Sequence, residues 1–97
     1  MSKIAGKTIW ITGASSGIGK SLALALSSRN CNLILSARNA EALQEVKSFC
    51  GNGDNIAVLP LDLNDHEGMN EVVNNALSLF GKVDILVNNA GISQRSL

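Results

Sequence analysis

The residues best placed to do chemistry are Thr12-Gly13-Ala14-Ser15-Ser16-Gly17-Ile18-Gly19, which follow a β-branched apolar run and open a stretch of helix formers. In a strand-turn-helix setting, Gly13 permits the tight turn, Gly17 lets main chain approach a diphosphate, and Gly19 lets helix and strand come close. The N–H groups of the helix N-terminus then face the anion. Glycines in isolation would only make turns, so the setting points to a nucleotide. A second reading overlaps the first. Ala14 to Ser21 differs at one position from the nucleotide-triphosphate loop G-x-x-x-x-G-K-[ST], with Lys20 for phosphates, Ser21 for magnesium and Asp62 as a metal partner. Against it, Ala14 stands where that loop needs its first glycine, and Gly13 comes one place early.

The elements that must position these residues alternate. Thr8–Thr12 reads as a strand buried on both faces, and Ile18–Ser28 as a helix with Leu22, Ala25 and Leu26 at helical spacing. Asn32–Ser36 is a second strand, and Asn39 caps a helix in which Leu43, Val46 and Cys50 share a face before Gly51 ends it. Ile56–Pro60 is a third strand. Asn64 and Glu67 have capping-box spacing ahead of the amphipathic stripe Met69, Val72, Val73, Ala76, Leu77, Phe80, and Gly81 closes that helix. Val83–Val87 completes the series as a fourth apolar strand. Trp10 is expected in the core and His66 in solvent on the first turn of the third helix.

Such alternation predicts an α/β fold with a parallel sheet and right-handed crossovers, in which ligands bind beyond the carboxyl ends of the strands. The polar residues gather at those ends: the glycine turn, Ala37-Arg38, Asp62-Leu63, and Asn88-Asn89-Ala90-Gly91. Asn88 and Asn89 serve equally well as ligand contacts or as side-chain bonds that close a strand end.

Composition narrows the classes. Residues 1–97 suffice for one domain, and 45% of them are apolar against 16% charged, which favours a buried sheet over a charged bundle. Eight basic residues balance eight acidic ones, so no basic field draws in a nucleic acid. Two cysteines without a Cys-x-x-Cys pair, and one histidine, make no zinc ligand set and suit a reduced, cytoplasmic chain. No stretch approaches a signal peptide or the roughly 20 apolar residues of a membrane span. Tyrosine is absent altogether.

Thr12-Gly13-x-x-x-Gly17-x-Gly19 together with Asn88-Asn89-Ala90-Gly91, and Asp62-Leu63 after the third strand, resembles the short-chain dehydrogenase/reductase family from Lys7 to Leu97. Leu35-Ser36-Ala37-Arg38, Leu59 to Leu63 and Ser93 to Leu97 resemble a branch of it that handles retinoid or steroid-like carbonyls. The resemblance implies a Rossmann-like, doubly wound sheet of strand order 3-2-1-4. It implies a dinucleotide wrapped by Gly13, Ser15, Ser16, Gly17, Ile18 and Gly19, with Asp62 accepting from the adenine amino group and Leu63 main chain against the ring. Asn88, Ala90 and Gly91 would line the adenosine ribose and hold strands one and four together.

Family members transfer hydride between the coenzyme and a carbonyl or alcohol substrate, using a Ser, a Tyr-x-x-x-Lys pair and an Asn beyond the Asn-Asn-Ala-Gly signature. With no tyrosine, the 97 residues are expected to form a partial domain that binds coenzyme without catalysing, either as part of such an enzyme or as a non-catalytic dinucleotide-binding module. Strand four, an edge in that order, is expected to drive self-association. NAD-using folds place an acid near the end of strand two, about 20 residues past the glycine motif. Here Ala37 holds that place and Arg38 follows, so Arg38, aided by Ser15, is expected to take a 2′-phosphate and select NADP(H). The alternative for Arg38 is a solvated residue at a strand end.

Overall fold

The computed structural model describes residues 3–51 and 53–89. Among them, chain order runs β1 (Thr8–Thr12), α1 (Gly17–Leu26), β2 (Asn32–Ser36), α2 (Ala40–Phe49), a 3₁₀ turn (Gly53–Asn55), β3 (Ile56–Val58), α3 (Met69–Leu79) and β4 (Ile85–Asn88). The strands form one sheet in the order β3-β2-β1-β4, with each neighbouring pair parallel. The parallel α/β sheet is the one the alternating sequence predicts, and its Rossmann-like order is the one the family resemblance implies.

Side-chain alternation divides the sheet into two faces. Ile9, Ile11, Leu33, Leu35 and Ile56 pack with Ala23 of α1 and with Leu43 and Val46 of α2. Trp10 and Ile34 pack on the other face with Leu61 and with Ala76 of α3, where Val72, Phe80 and Val83 close the edge. Helices α1 and α2 therefore cover one face and α3 the other, as right-handed crossovers demand. The central strands are apolar at successive positions because both their faces are covered.

The element ends depart from the sequence reading where side chains compete for main-chain groups. β3 ends at Val58 rather than Pro60, although the chain stays beside β2 through Leu59 N–H to the Leu35 carbonyl (2.9 Å) and Leu61 N–H to the Ala37 carbonyl (3.0 Å). The capping box of Asn64 and Glu67 does not form. Asp62 Oδ1 accepts from Asn64 N–H (2.9 Å) and Asp65 Oδ1 from Gly68 N–H (3.1 Å), so these carboxylates shape a turn and α3 starts only at Met69. His66 lies in that exposed turn and not in the helix. α1 stops at Leu26, and Asn39 caps α2 by accepting from Ala42 N–H (3.1 Å).

β4 begins at Ile85 rather than Val83, and it is not buried on both faces: Leu86 is 57% exposed and Ile85 36%. Among the described residues its one neighbour in the sheet is β1. The shifted start has a clear cause. Asp84 N–H donates to the Thr8 carbonyl (2.9 Å), and Asp84 Oδ2 in turn accepts from Thr8 N–H (2.8 Å), so a carboxylate takes the bond that main chain would otherwise make.

That Thr8 N–H, and secondarily the Lys82 ammonium 3.2 Å from Oδ2, hold the Asp84 carboxyl below its ordinary 3.8. A carboxyl whose native value is depressed stabilises the fold above the unfolded value and loses that contribution as pH falls through the native one. Asp84→Asn is expected to lower the denaturation midpoint at pH 7, and the gap from the parent should close as pH falls below 3.8. Chemical denaturation across that range checks it, and a pH-independent gap would show that charge at Asp84 contributes nothing.

Candidate functional site

The glycine turn is built from backbone conformations that other residues resist. Gly13 and Gly17 both lie at positive φ, +66° and +59°. A Cβ on Gly17 would meet nothing within 4 Å, so its main chain is open to a ligand. Gly19 is different. A Cβ there would overlap the Gly13 carbonyl and stand 2.9 Å from Asn89 Nδ2, so the missing side chain is what lets α1 start against the end of β1. Asn89 fixes the same carbonyl by donating to it from Nδ2 (3.3 Å). Ala14 N–H donates to the Ser36 carbonyl (3.1 Å), tying the turn to β2 as well.

These bonds frame a cleft of about 570 Å³ at the carboxyl ends of the strands. Gly13, Ser15, Ser16, Gly17 and Ile18 form one wall, Arg38 a second, and Asp62 and Leu63 a third. Gly19 lies buried behind the first wall. Asn88 is turned to another task, because its Oδ1 accepts from Thr12 Oγ1 (3.0 Å) and so joins β4 to β1. Ala90 and Gly91 lie outside the described residues. The cleft also takes in Thr12, Ser36, Ala37, Asn39, Leu61, Asn64 and Asn89. Of these, Thr12 carried a sequence signal in the glycine motif, Ala37 at the end of strand two and Asn89 in the Asn-Asn-Ala-Gly run, while Asn39 and Asn64 were legible only as caps.

The electrostatics suit an anion. Ser16, the N-cap of α1, makes no side-chain cap bond, and the first turn of that helix holds no acidic residue. The positive end of the helix dipole is thus left without a carboxylate of its own element. Arg38 is exposed at the cleft edge with no ion-pair partner among the described residues. Ile18, 71% exposed, adds an apolar surface at the mouth.

The triphosphate-loop arrangement is not formed. The Lys20 ammonium stands 5.6 Å from the ring centroid of Phe49, on α2, and is not in the cleft wall. Among the described residues, no group of three or more His, Cys, Asp or Glu is placed to hold a metal ion. Cys31 and Cys50 are free and buried, and burial pushes the Cys31 thiol up. No helix among the described residues is long and apolar enough to cross a membrane.

Sequence and fold together match one group of proteins. The chain belongs to the short chain dehydrogenase family, whose profile matches residues 7–97. It is 51% identical over 94 residues to dehydrogenase/reductase SDR family member 7 of Mus musculus, and 50% identical over 97 residues to the Homo sapiens protein of that name. Each match covers 92% of this chain and 28% of the relative, so the chain spans under a third of these proteins. An NADP-dependent 3-hydroxy acid dehydrogenase of Schizosaccharomyces pombe is 40% identical over 96 residues, covering 96% of this chain and 37% of that one. Among solved structures, the apo glucose dehydrogenase of Caenorhabditis elegans superposes with a TM-score of 0.80 at 31% identity, over 90% of this chain and 38% of that one. The 3-ketoacyl-(acyl-carrier-protein) reductase of Brucella melitensis, complexed with NADH, gives 0.78 at 31% identity, over 87% and 34%. The likeness of this chain to the N-terminal part of the member-7 branch agrees with the resemblance read from Leu35 to Arg38 and Leu59 to Leu63.

The geometry separates two glycine substitutions. Gly17→Ala meets open space and suffers only from its φ, a cost of about 1–2 kcal/mol. Gly19→Ala gains up to about 1 kcal/mol of helix propensity but must displace main chain at Gly13, an overpacking cost of about 1–3 kcal/mol or more. Urea denaturation should show both variants destabilised. Restoring space by Asn89→Ala should not rescue Gly19→Ala, because the closest obstacle is the Gly13 carbonyl.

Proposed function

We propose that the cleft binds NADP(H), and that these residues form the coenzyme-binding part of an oxidoreductase acting on a carbonyl or alcohol substrate. The observation that carries this reading is Arg38, an exposed guanidinium without an ion-pair partner among the described residues, at the edge of a cleft whose other wall is an uncapped helix N-terminus. Gly13, Ser15, Ser16, Gly17, Ile18 and Gly19 would wrap the diphosphate, with main chain serving as donor. Asp62 would accept from the adenine amino group and Leu63 main chain would lie against the ring. Asn88, Ala90 and Gly91 would stand at the ribose, Asn88 chiefly through its bond to Thr12.

Relatives in this family are named for both coenzymes, NADP in one and NADH in another, so family membership leaves the choice to local chemistry. A carboxylate beside the adenosine ribose favours NAD(H) by hydrogen-bonding the 2′-hydroxyl, whereas a guanidinium pairs with a 2′-phosphate. Ala37 offers no carboxylate, and Arg38 follows it directly. The bound coenzyme would supply or accept the hydride. The sequence contains no tyrosine, so no phenol within it can move the accompanying proton, and on this reading these residues bind and orient without catalysing. The free buried thiols suit the reducing cytoplasm.

In the full-length protein, Arg38→Ala is expected to weaken NADP(H) about 10- to 100-fold, the worth of a charge-assisted bond, and to leave NAD(H) nearly unchanged. Ala37→Asp should reverse the preference by repelling the phosphate. Isothermal titration of both coenzymes against the three proteins tests this, and equal affinities in the parent would end it.

The same reading gives β4 a role in association. Ile85 and Leu86 are exposed on a strand that has one neighbour among the described residues, and an apolar edge of this kind pairs with other chains. A polypeptide of these 97 residues is expected to self-associate in sedimentation velocity at rising concentration. A concentration-independent monomer with a cooperative melt would refute it.

A further inference from the structure

Trp10 is the chain's single tryptophan, 7% exposed in the middle of β1 on the α3 face. A buried indole N–H needs an acceptor, and this one donates to Ser36 Oγ across the strand pair at 2.7 Å. Its acceptor is no ordinary core residue. Ser36 is fully buried, ends β2, and lines the cleft. Its carbonyl accepts from Ala14 N–H of the glycine turn (3.1 Å), and Ala37 next to it accepts from Leu61 N–H beyond β3 (3.0 Å). One residue thus joins the wall that faces a diphosphate to the segment that carries Arg38. Among the described residues, the indole is the hydrogen-bond partner of the Ser36 hydroxyl.

We infer that Trp10 and Ser36 are positioning residues for coenzyme choice: their buried bond sets the distance between the glycine turn and Arg38. This rests on the proposed NADP(H) reading. Both coenzymes share the diphosphate that the turn would hold, and they differ only at the 2′ position, where Arg38 would act. A shift of the β2 end relative to the turn therefore penalises the 2′-phosphate selectively. The guanidinium must meet an oxygen at hydrogen-bond distance while the turn keeps its grip, and charge-assisted bonds fall off steeply with misalignment.

The test uses the full-length protein and the affinities of NADP⁺ and NAD⁺. Trp10→Phe keeps the ring and removes the donor, and Ser36→Ala removes the acceptor. Each is expected to reduce the NADP⁺ over NAD⁺ affinity ratio about 3- to 10-fold, the worth of one such bond. The double variant should lose no more than either single one, and Ser36→Thr, which keeps the hydroxyl, should retain the parent ratio. A parent that binds the two coenzymes equally overturns the Arg38 reading and this inference with it. A parent that prefers NADP⁺, with folded Trp10→Phe and Ser36→Ala variants keeping that preference, overturns this inference alone. One readout needs no variant. The indole N–H proton of Trp10 is expected to shift in the NMR spectrum more with NADP⁺ than with NAD⁺, and a signal that NADP⁺ leaves unmoved also overturns the inference.

Discussion

The close approach of helix α1 to the end of β1 is the constraint on which the rest depends. It exists because Gly19 has no side chain where the Gly13 carbonyl passes, and because Asn89, reaching from the end of β4, donates to that same carbonyl. The contact puts the N-terminus of α1 directly over the carboxyl end of the sheet, where an anion can use its free N–H groups. It also fixes strand four to strand one from above, as Asp84 does from below through Thr8. Two polar clamps at opposite ends of one strand pair hold an edge strand whose side chains gain little from burial.

Much of this was legible in the sequence because it depends on local patterns. Apolar runs such as Thr8–Thr12 and Asn32–Ser36, set between amphipathic stretches, can bury their faces only as parallel strands between helices, while the order β3-β2-β1-β4 was legible only through the family resemblance. The glycines of the turn were equally legible, since backbone geometry leaves few alternatives at Gly13 and Gly17. What escaped was decided by pairs. Asn64 has the right type and spacing for a cap, but Asp62 and Asp65 reach main-chain N–H groups first and delay α3 to Met69. The start of β4 depends on Asp84 finding Thr8, 76 positions away. The cleft's inner wall includes Ser36, which reads as an ordinary strand end until its indole partner is seen.

Lys20 shows how a motif and its chemistry can separate. The string from Ala14 to Ser21 comes within one residue of a triphosphate loop, but phosphate binding by that loop requires the lysine to turn back over it. In this fold Gly17 starts the helix early, so Lys20 is already in its first turn and its ammonium rests over Phe49 of the next helix. A cation held against an aromatic face gains about 0.5–2 kcal/mol, and the position of Lys20 on α1 carries it to that face. The position of the first glycine, one place earlier than the triphosphate loop requires, is therefore a structural difference rather than a tolerated variation.

The cleft divides its work between main chain and side chain, and that division has consequences for how it can change. Donors supplied by the α1 N-terminus are insensitive to most substitutions, because backbone N–H groups persist whatever the side chain, provided the glycine conformations are kept. On the proposed reading, discrimination between coenzymes falls instead to Ala37, half-buried against the edge of the core, and to Arg38, which is exposed. Exposed positions tolerate substitution at small cost in stability. A fold built this way would, on the same reading, alter which dinucleotide it prefers without disturbing how it grips one, so long as the strand end beneath Arg38 stays anchored. That anchor is buried and paired through its side chain, the opposite of the exposed Arg38 it supports.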